Sequence, residues 1–330
     1  MHYRNIPKTL LFLLLCCPSM GLTGCSAVVQ GDTGSFSPAD YVNPFIGAST
    51  STSAAGVYHG LGKTFPGATT PYGMVQVSPN TITGGDNSPG YSYEHTTIEG
   101  FAFTQMSGVG WFGDLGNLLV MPTTGPLQKI AGREDGSIGG YRSHYDKATE
   151  TARAGYYSAL LTDYGIRAES SATPHCGILR FTFPESDESG VVIDAFDRGS
   201  QVGMVDDRTI VGYTTRNSGG VPENFRNWFV VRFDTPFSAI ELTDAPGGYK
   251  PGSNLLYPEG QKSVTGEHAV AKVHFATRRG QQICASVASS FISPEQALQN
   301  LRELGSDDFE TVKSKAQARW DDVLGRIEVE

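Results

Sequence analysis

Between residues 41 and 291 the sequence never holds a helical period for long. Apolar and polar residues alternate there in short runs that end at glycine or proline. Leu179-Arg180-Phe181-Thr182-Phe183 is one such run, stopped by Pro184, and residues 227–234 form another. Residues 191–193, 209–215, 269–275 and 283–288 behave alike, with turn signals such as Asn217-Ser218-Gly219-Gly220 and Pro246-Gly247-Gly248 between runs. Alternation puts successive side chains on opposite faces of a strand. Many short strands without intervening helices predict a mainly β chain, built as a large antiparallel β-sandwich. The 40 glycines and 18 prolines exclude a helical bundle or coiled coil for most of the 330 residues. Aromatic residues, at 10%, supply enough apolar surface to offset chain entropy, which argues against disorder. With 25 Lys and Arg against 34 Asp and Glu, a net charge of −9 and no basic run, the chain is a poor partner for nucleic acid.

The pattern changes near Ser293. Ser293-Pro294-Glu295-Gln296 reads as a capping box with proline at the first helical position. Ala297, Leu301 and Leu304 follow a helical stripe to Gly305, and Ser306-Asp307-Asp308 can cap a second helix. Phe309, Val312, Ala316, Trp320 and Val323 fall on one face of it, and Gly325 can stop it. Residues 327–330 read like the start of a strand. Two amphipathic helices need a surface to cover them, so this reading expects the polypeptide to continue.

The first residues are an address. Arg4 and Lys8 precede apolar residues 10–17, too short a run to span a bilayer, which takes about 20. Leu22-Thr23-Gly24-Cys25 looks like a bacterial lipobox, cleaved before Cys25 with lipid placed on that cysteine. A buried N-terminal helix is the alternative, and Pro18 and Gly21 would break it. Ser26 follows the cysteine and no aspartate precedes Asp32, which in a Gram-negative cell suggests the outer membrane, facing the periplasm or the cell surface. Loss of residues 1–24, which hold two bases and no acid, would take the charge from −9 to −11. Cys176 and Cys284 then remain beside Cys25; they could pair in an oxidising compartment or stay as separate buried thiols, and their apolar strand context favours the thiols. The expected layout is a signal peptide over 1–24, a tether over 25–40, a β-sandwich over 41–290 and a helical linker over 291–330.

Most motifs fail on context. Gly108-Val109-Gly110-Trp111-Phe112-Gly113 matches the dinucleotide fingerprint by letter, but a turn and strand follow it where a helix is required. Gly62-Lys63-Thr64 lacks the first glycine of a phosphate loop, since position 57 is Val57. The histidines have no zinc spacing, there is no Cys-x-x-Cys or Gly-x-Ser-x-Gly, and no calcium-loop spacing occurs. Asp187-Glu188 and Asp206-Asp207 read as solvated turn residues. Residues 64–126 stand out, with Tyr91, Tyr93, Phe101, Phe103, Trp111 and Phe112 set among glycines and few charges. Glycines let backbone and ring faces approach a ligand, and sugars stack on such rings. A glycine-rich sandwich corner with core aromatics explains the same composition.

Several motifs in order carry a resemblance. They are residues 66–79 (Pro-Gly-Ala-Thr-Thr-Pro-Tyr-Gly-Met-Val-Gln-Val-Ser-Pro), then Gly90-Tyr91-Ser92-Tyr93, Ser107-Gly108-Val109-Gly110 and Gly113-Asp114-Leu115-Gly116. Val120-Met121-Pro122-Thr123-Thr124-Gly125, Ala154-Gly155-Tyr156-Tyr157, Glu169-Ser170-Ser171-Ala172-Thr173, Ser289 with Phe291-Ile292-Ser293, and Trp320 with Leu324-Gly325 continue it. This set resembles glycoside hydrolase family 92 from Tyr41 to the end. The resemblance implies an exo-acting, calcium-dependent α-mannosidase (α-1,2-mannosidase-like) that inverts the anomeric centre. It implies a sandwich joined by a helical linker to an (α/α)6 catalytic domain, with the substrate pocket between them. The acid, the base and the calcium ligands come from that second domain, so no catalytic or metal-binding residue is expected here.

What the resemblance carries onto this chain is the glycine-rich loop. Trp111 would stack on mannose or the leaving sugar, Asp114 would bond a hydroxyl or brace the loop, and Tyr93 is a further substrate-binding candidate. Many members have His-Thr-His where this chain has Phe103-Thr104-Gln105, and cysteine near Trp111, which this chain lacks. The expected partners are α-mannoside glycans, the catalytic domain, and the membrane through the lipid on Cys25. Two other readings compete: a stand-alone carbohydrate-binding lipoprotein, and a sandwich that docks another protein through the helical face bearing Phe309 and Trp320.

Overall fold

The computed structural model describes residues 37–49, 64–81, 90–106, 115–133, 136–217, 220–245, 255–256 and 261–327. The leader, Cys25 and most of the tether lie outside the described residues, as do the turns at 218–219 and 246–248 and the end of the chain at 328–330. The rest, from Ser37 on, forms one compact unit.

Among the described residues two large antiparallel sheets face each other. The eight-stranded sheet runs Ala68–Thr69, Gln76–Asn80, Gly100–Ala102, Leu119–Thr123, Ser186–Asp194, Ala269–Thr277, Ala239–Asp244, Leu255–Leu256. The nine-stranded sheet runs Ser263–Gly266, Ser200–Met204, Thr209–Thr214, Asn227–Phe233, Gln281–Ser290, Cys176–Phe183, Ile166–Ala172, Tyr156–Leu161, Thr151–Arg153. The predicted strands are therefore present, and the outermost strand on each side of each sheet has only two to four residues. Asp187 and Glu188, expected in a turn, instead lie exposed in the strand Ser186–Asp194, where the register with Ala269–Thr277 shifts in a bulge.

Alternation decides what each face meets. In Cys176–Phe183, Leu179, Phe181 and Phe183 point into the core between the sheets, while Cys176 and Ile178 point outward. Phe229, Val231 and Phe233 likewise face inward, against Trp228 and Val230 on the other side. Phe233 of one sheet meets Phe275 of the other edge to face, with centroids 5.5 Å apart. The outward residues are not solvated. They pack under α1 (Pro294–Leu301), the 3-10 turn Arg302–Leu304 and α2 (Phe309–Leu324), through Ala297, Leu304, Phe309 and Val312. The nine-stranded sheet is thus covered on both faces over this stretch, which is why its strands carry apolar residues at both parities.

The helix termini follow the expected chemistry with one correction. Ser293 Oγ accepts from the Gln296 backbone N–H at 3.1 Å, and Asp308 Oδ1 accepts from that of Thr311 at 2.8 Å. The Gln296 side chain, however, bonds Asn300 at 2.8 Å, so the reciprocal half of the capping box is replaced by an i,i+4 bond along the helix.

The helical face was expected to need a partner surface, and this chain supplies it. Phe309 is buried and meets Tyr156 edge-on at 6.4 Å. Trp320 gives its indole N–H to the Thr69 carbonyl, and Asp321 Oδ1 accepts from Ser37 Oγ and Ala39 N–H at 2.9 Å each. The face bearing Phe309 and Trp320 is therefore not a free docking surface, because the sandwich already occupies it. Gly155 permits the close approach: it turns the hairpin at φ +76, and a β-carbon there would lie 2.8 Å from that of Ala316.

Arg180 locks the start of α2. Its guanidinium bonds both oxygens of Glu169 at 2.8 Å, reaches Glu310 at 2.8 Å, and lies 4.2 Å above the Phe309 ring. Burial alone would raise the pKa of Glu169, but the bonds from Arg180 and Tyr156 outweigh it and hold the carboxyl below its usual range. Cys176 and Cys284 are free thiols. Cys176 pairs across the ladder with Ala288 and Cys284 with Arg180, four positions apart along neighbouring strands, too far to bridge.

Candidate functional site: the neck of the glycine-rich loop

The strands Gln76–Asn80, Gly100–Ala102 and Leu119–Thr123 lie side by side, with Asn80 opposite Gly100 and Phe101 opposite Val120. The connection between the last two strands contains residues 107–114, so Trp111 and Asp114 lie outside the described residues. The structure does show what holds the two flanks of that connection together. Asn117, almost wholly buried, accepts through Oδ1 from the N–H groups of Phe103 (2.9 Å), Thr104 (3.2 Å) and Leu118 (3.1 Å). One side-chain oxygen thereby does for both flanks what a sheet ladder would otherwise do. Gly116 follows at φ +63, donates to the Arg216 carbonyl at 2.8 Å and accepts from the Asn227 amide.

A buried polar chain lies behind the entering flank. Gln105 Nε2 donates to Asn80 Oδ1 at 2.8 Å, Asn80 Nδ2 to Glu99 Oε2 at 2.7 Å, and Arg142 bonds both Glu99 and Thr97. Gly90 presses on this chain: a β-carbon there would fall 2.2 Å from Gln105 Nε2. Gln105, at the position where the resemblance leads one to expect histidine, is thus a buried structural amide.

Tyr93 is 47% exposed and belongs to a different cluster. Its ring meets Phe45 edge-on at 5.8 Å, and the Lys147 ammonium sits 4.3 Å from its centroid. The same ammonium lies over Tyr91 and Tyr145 and bonds Tyr91 Oη and Glu150, each at 2.9 Å. Glu150 also accepts from Tyr91 at 2.8 Å and Tyr157 at 2.7 Å. Burial raises the pKa of both phenols and lowers that of Lys147. Tyr91, Phe101 and Phe103 are core residues, so for these three the plainer reading of the aromatic segment is the one observed.

The buried acids all have partners within the sandwich. Beyond Glu99, Glu150 and Glu169, Asp194 bonds Tyr141, His268 (2.7 Å) and the Phe196 N–H (2.8 Å). None of this was legible in sequence, where charged residues inside alternating runs read as solvent-facing. Among the described residues no three His, Cys, Asp or Glu converge on a point that could hold a metal ion. A cleft of about 430 Å³ opens between the first strands and α2, lined by Thr69, Tyr72, Gln76, Arg153 and Trp320 among others.

Compared with known proteins, residues 41–290 match the family model described as the glycosyl hydrolase family 92 N-terminal domain. The chain belongs to this family. Its fold is shared with a family 92 α-mannosidase of Bacteroides thetaiotaomicron solved in complex with mannoimidazole, at 31% identity and a TM-score of 0.78, over 89% of this chain and 38% of that one. An inverting family 92 mannosidase of the same organism matches at 30% identity and a TM-score of 0.74, over 89% of this chain and 37% of that one. A secreted glycosidase of Arthroderma benhamiae is 27% identical over 295 residues, 81% of this chain and 36% of that protein. This family 92 chain therefore spans little more than a third of the length of these relatives.

Proposed function

We propose that this chain is the sandwich part of a calcium-dependent exo-α-mannosidase that cleaves mannose-containing glycans with inversion, and that it forms one wall of the substrate pocket. The observation that carries the reading is the likeness, over nearly the whole compact unit, to an α-mannosidase that binds mannoimidazole. The neck supports it: Asn117 and Gly116 hold the flanks of the loop carrying Trp111 and Asp114 on the sheet.

In this proposal the acid that protonates the leaving oxygen and the base that activates water come from an (α/α)6 domain outside this chain. Among the described residues no cluster of acids could cage calcium, so in this reading the ion is held by the second domain. Trp111 stacks on the apolar face of the sugar, and Asp114 and Tyr93 offer hydrogen bonds to its hydroxyls. Lipid on Cys25 tethers the enzyme to the outer membrane, facing the periplasm or the cell surface; a relative named as secreted accords with export.

The test is a pair of assays on α-1,2-mannobiose with and without chelator, following the anomer released by NMR. The 330-residue chain is expected to release no mannose, and the complete product of its gene to release β-mannose in a chelator-sensitive way. Hydrolysis by the 330-residue chain alone would overturn the division of labour, and an α-product would overturn inversion.

A further inference from the structure

The exiting side of the loop neck carries a feature that the proposed pocket wall does not use. Phe225 and Phe291 stack with centroids 5.8 Å apart and planes 29° from parallel. They come from distant parts of the chain: Phe225 is fixed by a turn whose N–H bonds the Pro222 carbonyl at 2.9 Å, and Phe291 directly follows the strand Gln281–Ser290. Both rings touch Gly116, where a β-carbon would sit 3.2 Å from Phe225 Cζ and 3.2 Å from Phe291 Cε1, and 2.5 Å from Asn227 Cβ. The rings, the neck and the amide of Asn227 are therefore one packed unit. Phe291 is nevertheless 40% exposed.

We propose that Phe291, backed by Phe225, is a sugar-stacking platform beside Gly116 that takes a second pyranose of an oligomannoside, distinct from the terminal mannose. This rests on the glycan-binding reading above. A stacked pair whose outer ring is part-exposed suits the apolar C–H face of a pyranose, whose hydroxyls then need polar groups around the rim. Those groups are present. Asn224 is exposed, and Arg226 is held by a 3.4 Å bond to the Asn224 carbonyl and by its place 5.0 Å from the Tyr213 ring centroid. Beneath the rings, wholly buried Asn227 gives its Nδ2 to the Gly116 carbonyl and so fixes the neck against them, out of a ligand's reach.

The experiment is calorimetric titration of the 330-residue chain with methyl α-mannoside and with α-1,2-linked mannotriose. Phe291→Leu keeps apolar bulk and packing but removes the ring; Phe291→Tyr keeps the ring. Phe291→Leu is expected to weaken mannotriose binding about tenfold while leaving methyl α-mannoside unchanged, and Phe291→Tyr to bind both like the parent. A ring that merely braced Gly116 would weaken both ligands alike on loss, which overturns the platform. Mannotriose binding unaffected by Phe291→Leu overturns this inference alone. Absence of saturable mannotriose binding by the unsubstituted chain overturns the glycan-wall reading and the platform with it.

Discussion

The indole N–H of Trp320 donates to the carbonyl oxygen of Thr69 across 2.7 Å. The bond ties the helix that covers the nine-stranded sheet to an edge strand of the eight-stranded one, and so fastens one sheet to the other from outside.

Replacing Trp320 with Phe keeps most of the ring and loses only the bond, for an expected cost of about 1 kcal/mol. Trp320→Ala also forfeits the packing and is expected to cost about 3 kcal/mol. Urea midpoints measured side by side separate the two, and a midpoint left unchanged by Trp320→Phe would show that the bond contributes nothing.

Gly155→Ala places a methyl group against Ala316 at a backbone angle that favours glycine. The expected loss is about 2–3 kcal/mol. In Gly155→Ala/Ala316→Gly the steric part returns, while the backbone part at 155 and the cost of glycine inside α2, about 1 kcal/mol each, remain. Thermal melts of Gly155→Ala, Ala316→Gly and the double variant check the split.

Asn117→Ala strands three buried N–H groups at the loop neck and is expected to cost about 2–4 kcal/mol. Amide exchange at Phe103, Thr104 and Leu118 should accelerate more than exchange in the strand Gln281–Ser290. Uniform acceleration would mean that the neck opens only with the whole sandwich.

The pair Asp194–His268 gives stability a pH signature. Burial opposes both charges, but their mutual attraction and hydrogen bonds win, lowering the aspartate and raising the histidine. The aspartate's contribution is present above the unfolded value of about 3.9 and is lost as pH falls through its depressed folded value. The histidine's contribution is complete below about 6.5 and fades as pH rises through its raised folded value. Asp197 reinforces the imidazolium, and Arg216 opposes it. Denaturant midpoints from pH 5 to 9 should decline on the alkaline side, and His268→Gln should flatten that decline while lowering stability throughout.

Cys176 and Cys284 each have a thiol pKa pushed up to about 12, mainly by burial. Both are expected to resist alkylation at pH 8 in the folded protein and to react fully in denaturant. Peptide mapping that finds a 176–284 disulfide would contradict the strand register.

Much of this architecture is readable from the sequence because its signals are local. Leu179, Phe181 and Phe183 announce a strand and Pro184 its end, and Ser293 and Asp308 cap the helices as expected. What escapes is whatever depends on register. Arg180 and Glu169 look like two surface charges until the ladder sets them opposite each other, and Glu150 looks solvated until three side chains close on it. The helical face looks unpartnered because its partner strands lie far away in sequence. Of the loop residues, Trp111 stands out among the glycine-flanked aromatics as well as by resemblance, and Asp114 by resemblance alone; the neck residues Asn117 and Asn227 do not, since a buried asparagine carries no periodic signal. Glycine at 116, between two candidate residues and a strand, was the one available hint.

The short outermost strands have a consequence wherever many copies of the chain meet. An open sheet edge offers unpaired backbone groups to any chain that drifts alongside, and the longer and flatter the edge, the easier the capture. Among the described residues Ala68–Thr69 and Leu255–Leu256 bound one sheet and Thr151–Arg153 and Ser263–Gly266 the other, each too brief to template a neighbour. Copies at high concentration could therefore crowd shoulder to shoulder without zipping into fibres.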